Sequence, residues 1–242
     1  MRIYFITRKN LLLSGMIFIL LVSFLTFSLI YYSQNTVAVR LGEPIYQGNT
    51  GKKVVAITVN VDWGEEYIPQ MLAILAKEKV KVTFFVTGKW AEKNRELLKK
   101  MSREGHSIQN HGYEHVHFNS LSVEQSMEQI RKAEKIIEEI TGKKTKFFAS
   151  PYGEQNHKIL TAVSNLGYEL IMWSIDTIDW QRPSPETIVK RVVNKAHNDA
   201  IILMHPTEPT VKALPEMIAR LKSEGYKMVT IEEILVKGKG DE

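Results

Sequence analysis

The chain has 242 residues, 44% of them hydrophobic and 24% charged, with no Cys. These proportions exclude collagen-like, disulfide-stapled and globally disordered chains, and the missing Cys excludes thiol nucleophiles and Cys-ligated zinc. The formal charge of +5 is uneven: residues 1–40 hold Arg2, Arg8, Lys9 and Arg40 and no acid, leaving 28 basic against 27 acidic residues in the other 202, a balance that predicts no nucleic-acid partner.

Leu11 to Tyr32 is an uncharged stretch of 22 residues, LLLSGMIFILLVSFLTFSLIYY. Roughly 20 helical residues cross a bilayer core. The basic residues ahead of it predict a cytoplasmic tail over 1–10, a single-pass signal anchor over 11–32 and an extracytoplasmic remainder at the cell membrane. The alternative is a cleaved signal peptide, whose apolar region is usually about 7–15 residues. Residues 33–52 are polar, end in GNTGKK and read as a linker or an extended approach to the domain.

VVAITVNV (54–61) is a buried-strand pattern, and Ile68, Met71, Leu72 and Leu75 mark a helix. VKVTFFVT (80–87) predicts a second strand, and 91–103 an amphipathic helix closed by Gly105. Ser122 opens a long helix, with Glu124 near its front, that Gly142 ends. A short strand KFFAS (146–150), a helix over 158–166 and a strand YELIMWSI (168–175) follow. Ser184-Pro185-Glu186 opens a helix to about Ala196. Strand AIILM (200–204), a helix over about 212–224 and strand KMVTI (227–231) complete a domain at 53–237, before a tail at 238–242. Strands alternating with helices predict an α/β fold with a mostly parallel sheet of about seven strands; periodicity leaves a small barrel and an open sheet both open.

In such folds, sites gather beyond the C-terminal ends of the strands. Those ends here carry Asn60-Val61-Asp62-Trp63-Gly64, His111 and His115, Ser150-Pro151-Tyr152-Gly153, Asp176 to Trp180, and His205. His111 and His115, four apart, would share a face on a helical turn, where with a carboxylate they suit one divalent cation; otherwise they are surface histidines. His205 ends an apolar strand and is either a half-buried structural imidazole or a proton donor oriented by Asp176 or Asp179. Trp63 and Trp180 adjoin strand-end carboxylates as walls or sugar-stacking platforms. Trp173 reads as core, and His106, His117, His157 and His197 as structural or surface.

Together, over about residues 53–236, these clusters resemble in order and spacing the motifs of the polysaccharide deacetylase family, the carbohydrate esterases with the NodB homology domain. The resemblance implies a distorted (β/α) barrel and metal-dependent hydrolysis of N-acetyl groups on peptidoglycan or chitin-like amino sugars. It implies a divalent metal, zinc or alternatively cobalt, on Asp62, His111 and His115. It gives His205 the role of general acid, places Asp176 in the motif that supports the pocket, and gives the backbone N–H of Tyr152 to the oxyanion. Trp63, Tyr152, Asp179 and Trp180 would line the substrate pocket. The implied partners are a cell-wall glycan and, through the N-terminal helix, the membrane.

Two linked departures stand out. Asn60 occupies the position of the family's catalytic Asp, and the motif is two residues longer, so that Asp62 is only a plausible match for the metal Asp. Ala149 and Ser150 stand where the family has Arg and Pro, the Arg being the group that orients the base. Asn cannot be a general base; Asp62 could take that catalytic role only if the backbone bulges, and losing base and Arg together strands no buried charge. Membrane-anchored members from spore-forming Gram-positive bacteria look similar in this motif. Three readings follow: an active or weakly active metal-dependent N-deacetylase of cell-wall amino sugars, a catalytically inactive relative that keeps a glycan groove and binds wall polymer, and a membrane-tethered structural or assembly protein that uses the fold as a scaffold.

Overall fold

The computed structural model describes residues 16–28 and 42–235, which fall into two compact units divided between Arg40 and Leu41. In the first unit, 16–28 form helix α1, whose large apolar side chains are exposed. Among the described residues no helix is long and apolar enough to cross a membrane. The remainder of the 11–32 stretch, the 1–10 tail and the 238–242 tail lie outside the described residues.

The second unit is built on β1 (Val54–Val61), β2 (Thr83–Val86), β3 (Ser107–Asn110), β4 (Phe147–Phe148), β5 (Glu169–Leu170), β6 (Ile175–Asp176), β7 (Ala200–Met204) and β8 (Lys227–Val229). All pair in parallel in the order β5-β4-β3-β2-β1-β7-β6, with β8 beside the start of β1. β5 and β6 are the two ends of one stretch of chain. Its beginning pairs Leu170 with Phe148 of β4, and its end pairs Ile175 with Ile202 of β7. The sheet therefore returns on itself as a distorted barrel of seven chain segments, with an irregular seam at 171–174. Ile45 bridges to Ile171 and Gln47 to Ala200. The stretch 45–47 thus touches the domain through isolated bridges, as an extended approach to it.

Strands covered on both faces read as continuous apolar runs, and β1 buries all eight of its residues. Side chains alternate along it. Val55, Ile57, Val59 and Val61 pack outward with helix residues such as Leu72, Ile188 and Leu214, whereas Val54 and Ala56 face an inner cluster with Phe85, Phe147 and Ile201. The outer layer comprises α2 (Ile68–Glu78), α3 (Gly88–Lys93), α4 (Arg95–Arg103), α5 (Val123–Thr141), α6 (His157–Asn165), α7 (Pro185–Val193), α8 (Glu208–Ser223) and α9 (Ile231–Ile234). The helix expected over 91–103 is two helices that meet at Asn94. α5 starts at the Ser122 cap with Glu124 in its first turn, and Gln125 is the reciprocal partner in its capping box. α8 begins four residues before the expected 212 because Thr207 caps it.

Candidate functional site

The strand ends meet at a cavity of about 430 Å³ lined by Asn60, Trp63, His111, His115, Tyr152, Gly153, Trp173, Asp176, Trp180, Leu203 and His205. The alternation that points Val54 and Ala56 inward carries Asn60 to its floor. Asn60 is only 7% exposed, and its Oδ1 has no hydrogen-bond partner. No Lys or Arg lines the cavity. Ala149 is buried in the inner apolar cluster, so no cation stands where the resemblance implies one.

Asp62 leaves the inward register. β1 ends at Val61, and the Asp62 carboxylate accepts a 2.7 Å hydrogen bond from the Thr87 hydroxyl, at the cap of α3, away from the cavity lining. Trp63 turns back toward the cavity, its ring parallel to that of His205 at 6.1 Å. The turn that follows needs Gly64, at φ +80, where a Cβ would lie 2.3 Å from the Pro206 carbonyl oxygen.

His111 and His115 follow β3 in an irregular loop, not on the expected helical turn, because Gly112 takes φ +81. Their rings are still 5.2 Å apart. His111 Nδ1 donates to the Ala149 carbonyl at 2.7 Å. That contact leaves the lone pair of the neutral ring on Nε2. Burial, reinforced by His115, pushes the His111 pKa down to about 3. Burial also lowers the pKa of His115, against the pull of Asp62.

Two neutral imidazoles, one held by a backbone carbonyl, are donors of the kind zinc takes. The third ligand is not grouped with them: Asp62, one of whose oxygens accepts from Thr87, acts on His115, but among the described residues no three His, Cys, Asp or Glu side chains are grouped to hold a metal ion. As arranged, the residues do not fit the Asp62–His111–His115 set expected from the sequence.

The acid side of the site is fully built. His205 donates Nδ1–H to Asp179 Oδ1 at 2.8 Å, and its backbone N–H donates to Asp179 Oδ2 at 2.7 Å. The Thr210 hydroxyl adds a third bond to Oδ2 at 2.6 Å. Asp179 is wholly buried behind the wall; it orients His205 and does not line the pocket as expected. Asp176 is on the wall, its Oδ1 accepting from the Ile178 N–H at 2.8 Å. Arg191 donates to the Thr177 carbonyl at 2.7 Å and steadies the turn in which Ile178 takes φ +51.

Tyr152, at φ +60, projects its ring between His115, at 4.5 Å, and His117, at 4.0 Å. His117 in turn pairs with Glu154 at 2.7 Å. Sequence reasoning missed Trp173, Arg191, His117 and Thr210. The inward register of Ile171 was the available signal for Trp173, two residues on.

A family model for polysaccharide deacetylase matches residues 47–171. The Bacillus subtilis protein YlxY is 42% identical over 193 residues, which is 80% of this chain and 60% of that protein. A peptidoglycan-N-acetylglucosamine deacetylase of Bacillus cereus is 32% identical over 199 residues, covering 80% of this chain and 72% of that protein. The crystal structure of a CE4 family pseudoenzyme from Bacillus anthracis matches with a TM-score of 0.78 at 41% identity, over 80% of this chain and 69% of that one. A mutant of that pseudoenzyme with restored enzymatic activity matches with a TM-score of 0.78 at 39% identity, over 80% and 71%. Deacetylases of this kind are metal-dependent in general.

Proposed function

Because the chain belongs to the polysaccharide deacetylase family, we propose that it is a glycan-binding pseudoenzyme of the bacterial cell wall, held outside the membrane by an anchor over 11–32. Its ligand is the amino-sugar backbone of peptidoglycan or a chitin-like polymer. One observation carries this reading: the floor of the cavity is Asn60, which cannot take a proton from water, and no cation stands behind it. The aromatic side chains at the mouth, Trp63, Tyr152 and Trp180, are each at least 40% exposed and offer faces on which sugar rings stack.

The His205–Asp179–Thr210 array favours a second reading, weak N-deacetylation with His205 protonating the departing amine. In that reading the cation is zinc, or cobalt, and stoichiometric metal in the purified protein would support it. Acetate release from an N-acetylglucosamine oligomer, with added Zn²⁺, tests the proposal. Wild type is expected near background. Asn60→Asp is expected to gain about 10²–10⁴-fold, the usual worth of a general base. The kinship with a pseudoenzyme whose mutant regained activity supports that expectation. Failure of Asn60→Asp to gain activity with metal bound would sink the missing-base explanation.

A further inference from the structure

The cavity is rich in acceptors and aromatic faces and has no Lys or Arg in its lining, its basic side chains being the imidazoles of His111, His115 and His205, and that combination says which amino sugar it suits. Asn60 Oδ1 is a buried acceptor with no donor. Leaving such a group unpaired is costly, so a ligand that brings a donor gains by supplying it. His111 commits Nδ1–H to the Ala149 carbonyl, which leaves Nε2 as an acceptor. Asp176 lines the wall with one carboxylate oxygen on the Ile178 N–H, and its negative charge has no Lys or Arg opposite it among the lining residues. Trp63, Trp173 and Trp180 line the same space. Indole faces attract cations, and aromatic enclosures are a recurring way of holding ammonium groups.

An N-acetyl group meets only part of this lining. Its amide N–H can reach Asn60 Oδ1 and its carbonyl can accept from the Asn60 amide, but it carries no charge to meet Asp176. A free amine on the same sugar carbon is protonated at mildly acidic pH and brings three donors and a positive charge. We propose that the cavity recognises the de-N-acetylated amino sugar, the glucosamine-type ammonium, in preference to its N-acetylated form. The protein would then bind glycan that a deacetylase has already processed. This rests on the glycan-binding reading above, and it names the form of the sugar that the same site takes.

Calorimetric titration of the full chain with chitosan trimer and with chitin trimer tests the proposal. Both titrations are run at mildly acidic pH with EDTA present, so that an added cation plays no part. The amine trimer is expected to bind roughly tenfold tighter or more, in line with one added charge-assisted hydrogen bond. Asp176→Asn keeps an acceptor for the Ile178 N–H while removing the charge, and it is expected to abolish most of the preference. Asn60→Leu, which removes the unpartnered acceptor, should reduce it independently. Equal binding of the two trimers, or tighter binding of chitin trimer, overturns the ammonium assignment and leaves the glycan reading standing. A preference that survives in both variants also overturns it, because the amine would then be met outside this cavity. Binding of neither trimer overturns both readings.

Discussion

Replacing the Asn60 carboxamide by a carboxylate would add a charge to a side chain that is 7% exposed and that no lining Lys or Arg approaches. Desolvation disfavours the charged form, so the pKa of the introduced acid should rise above its unfolded value of about 3.9. The sign then follows. Below the unfolded pKa both states are protonated and the variant carries no penalty. As pH rises through the folded pKa, the unfolded chain ionises more readily, and the folded state loses stability. Asn60→Asp should therefore melt with wild type near pH ~4 and below it near pH ~8, by about 1–3 kcal/mol. Equal melting temperatures at both pH values would mean that a cation or water reaches the floor. The same raised pKa is what would make the introduced group a useful base, so activity gain and stability loss should appear together.

Helix α8 links element to site. Its cap, Thr207, accepts from the Thr210 N–H at 3.2 Å, and the Thr210 hydroxyl reaches Asp179 one layer below His205. Thr210→Val should cost about 1.5–3 kcal/mol, the range for a hydrogen bond to a charged group, read as a lower urea midpoint with helix content unchanged. A midpoint within error of wild type would show that Asp179 is held well enough by His205 alone. Elements of this kind were unequally legible in the sequence. β1 and β7 were read residue for residue, because a central strand covered on both sides leaves an unbroken apolar run. β3 was legible only as the strand end ahead of His111, since Ser107-Ile108-Gln109-Asn110 has no apolar run and spends its polar side chains on partners that only the fold supplies, such as Glu232 for Gln109 and the Ile130 carbonyl for Asn110. Asn60 and His205 were legible as strand-end residues. Asp62 was legible as one too, but its direction was not, because a bend toward Thr87 sets it and not strand alternation.

At the scale of the whole molecule, acid should loosen this fold through its histidines before its carboxylates. His106 and His111 sit near opposite ends of β3, both at least 97% buried by exposures of 3% and 2%. Burial, with Lys81 second, pushes His106 down to about 4, and burial pushes His111 down to about 3; His115 is lowered as well. Their unfolded value is 6.5, so between there and the folded values the unfolded chain binds protons that the folded chain refuses. Stability is complete above 6.5 and falls as pH drops. The carboxylates of Glu78, Glu96 and Glu114 are lowered from 4.5 by Lys222, Lys99 and Lys89, so they lose their partners only below that pH. The slope of unfolding free energy between 6.5 and 4.5 therefore belongs to the histidines. His106 Nδ1 accepts the Val82 N–H at 3.3 Å, a role the carbonyl of glutamine can take. His106→Gln should thus keep the fold and flatten that slope by about one proton, or about 1.4 kcal/mol per pH unit. An unchanged slope, measured from urea midpoints across the window, would mean that His106 accepts its proton in the folded state and that the bottom of the barrel admits water.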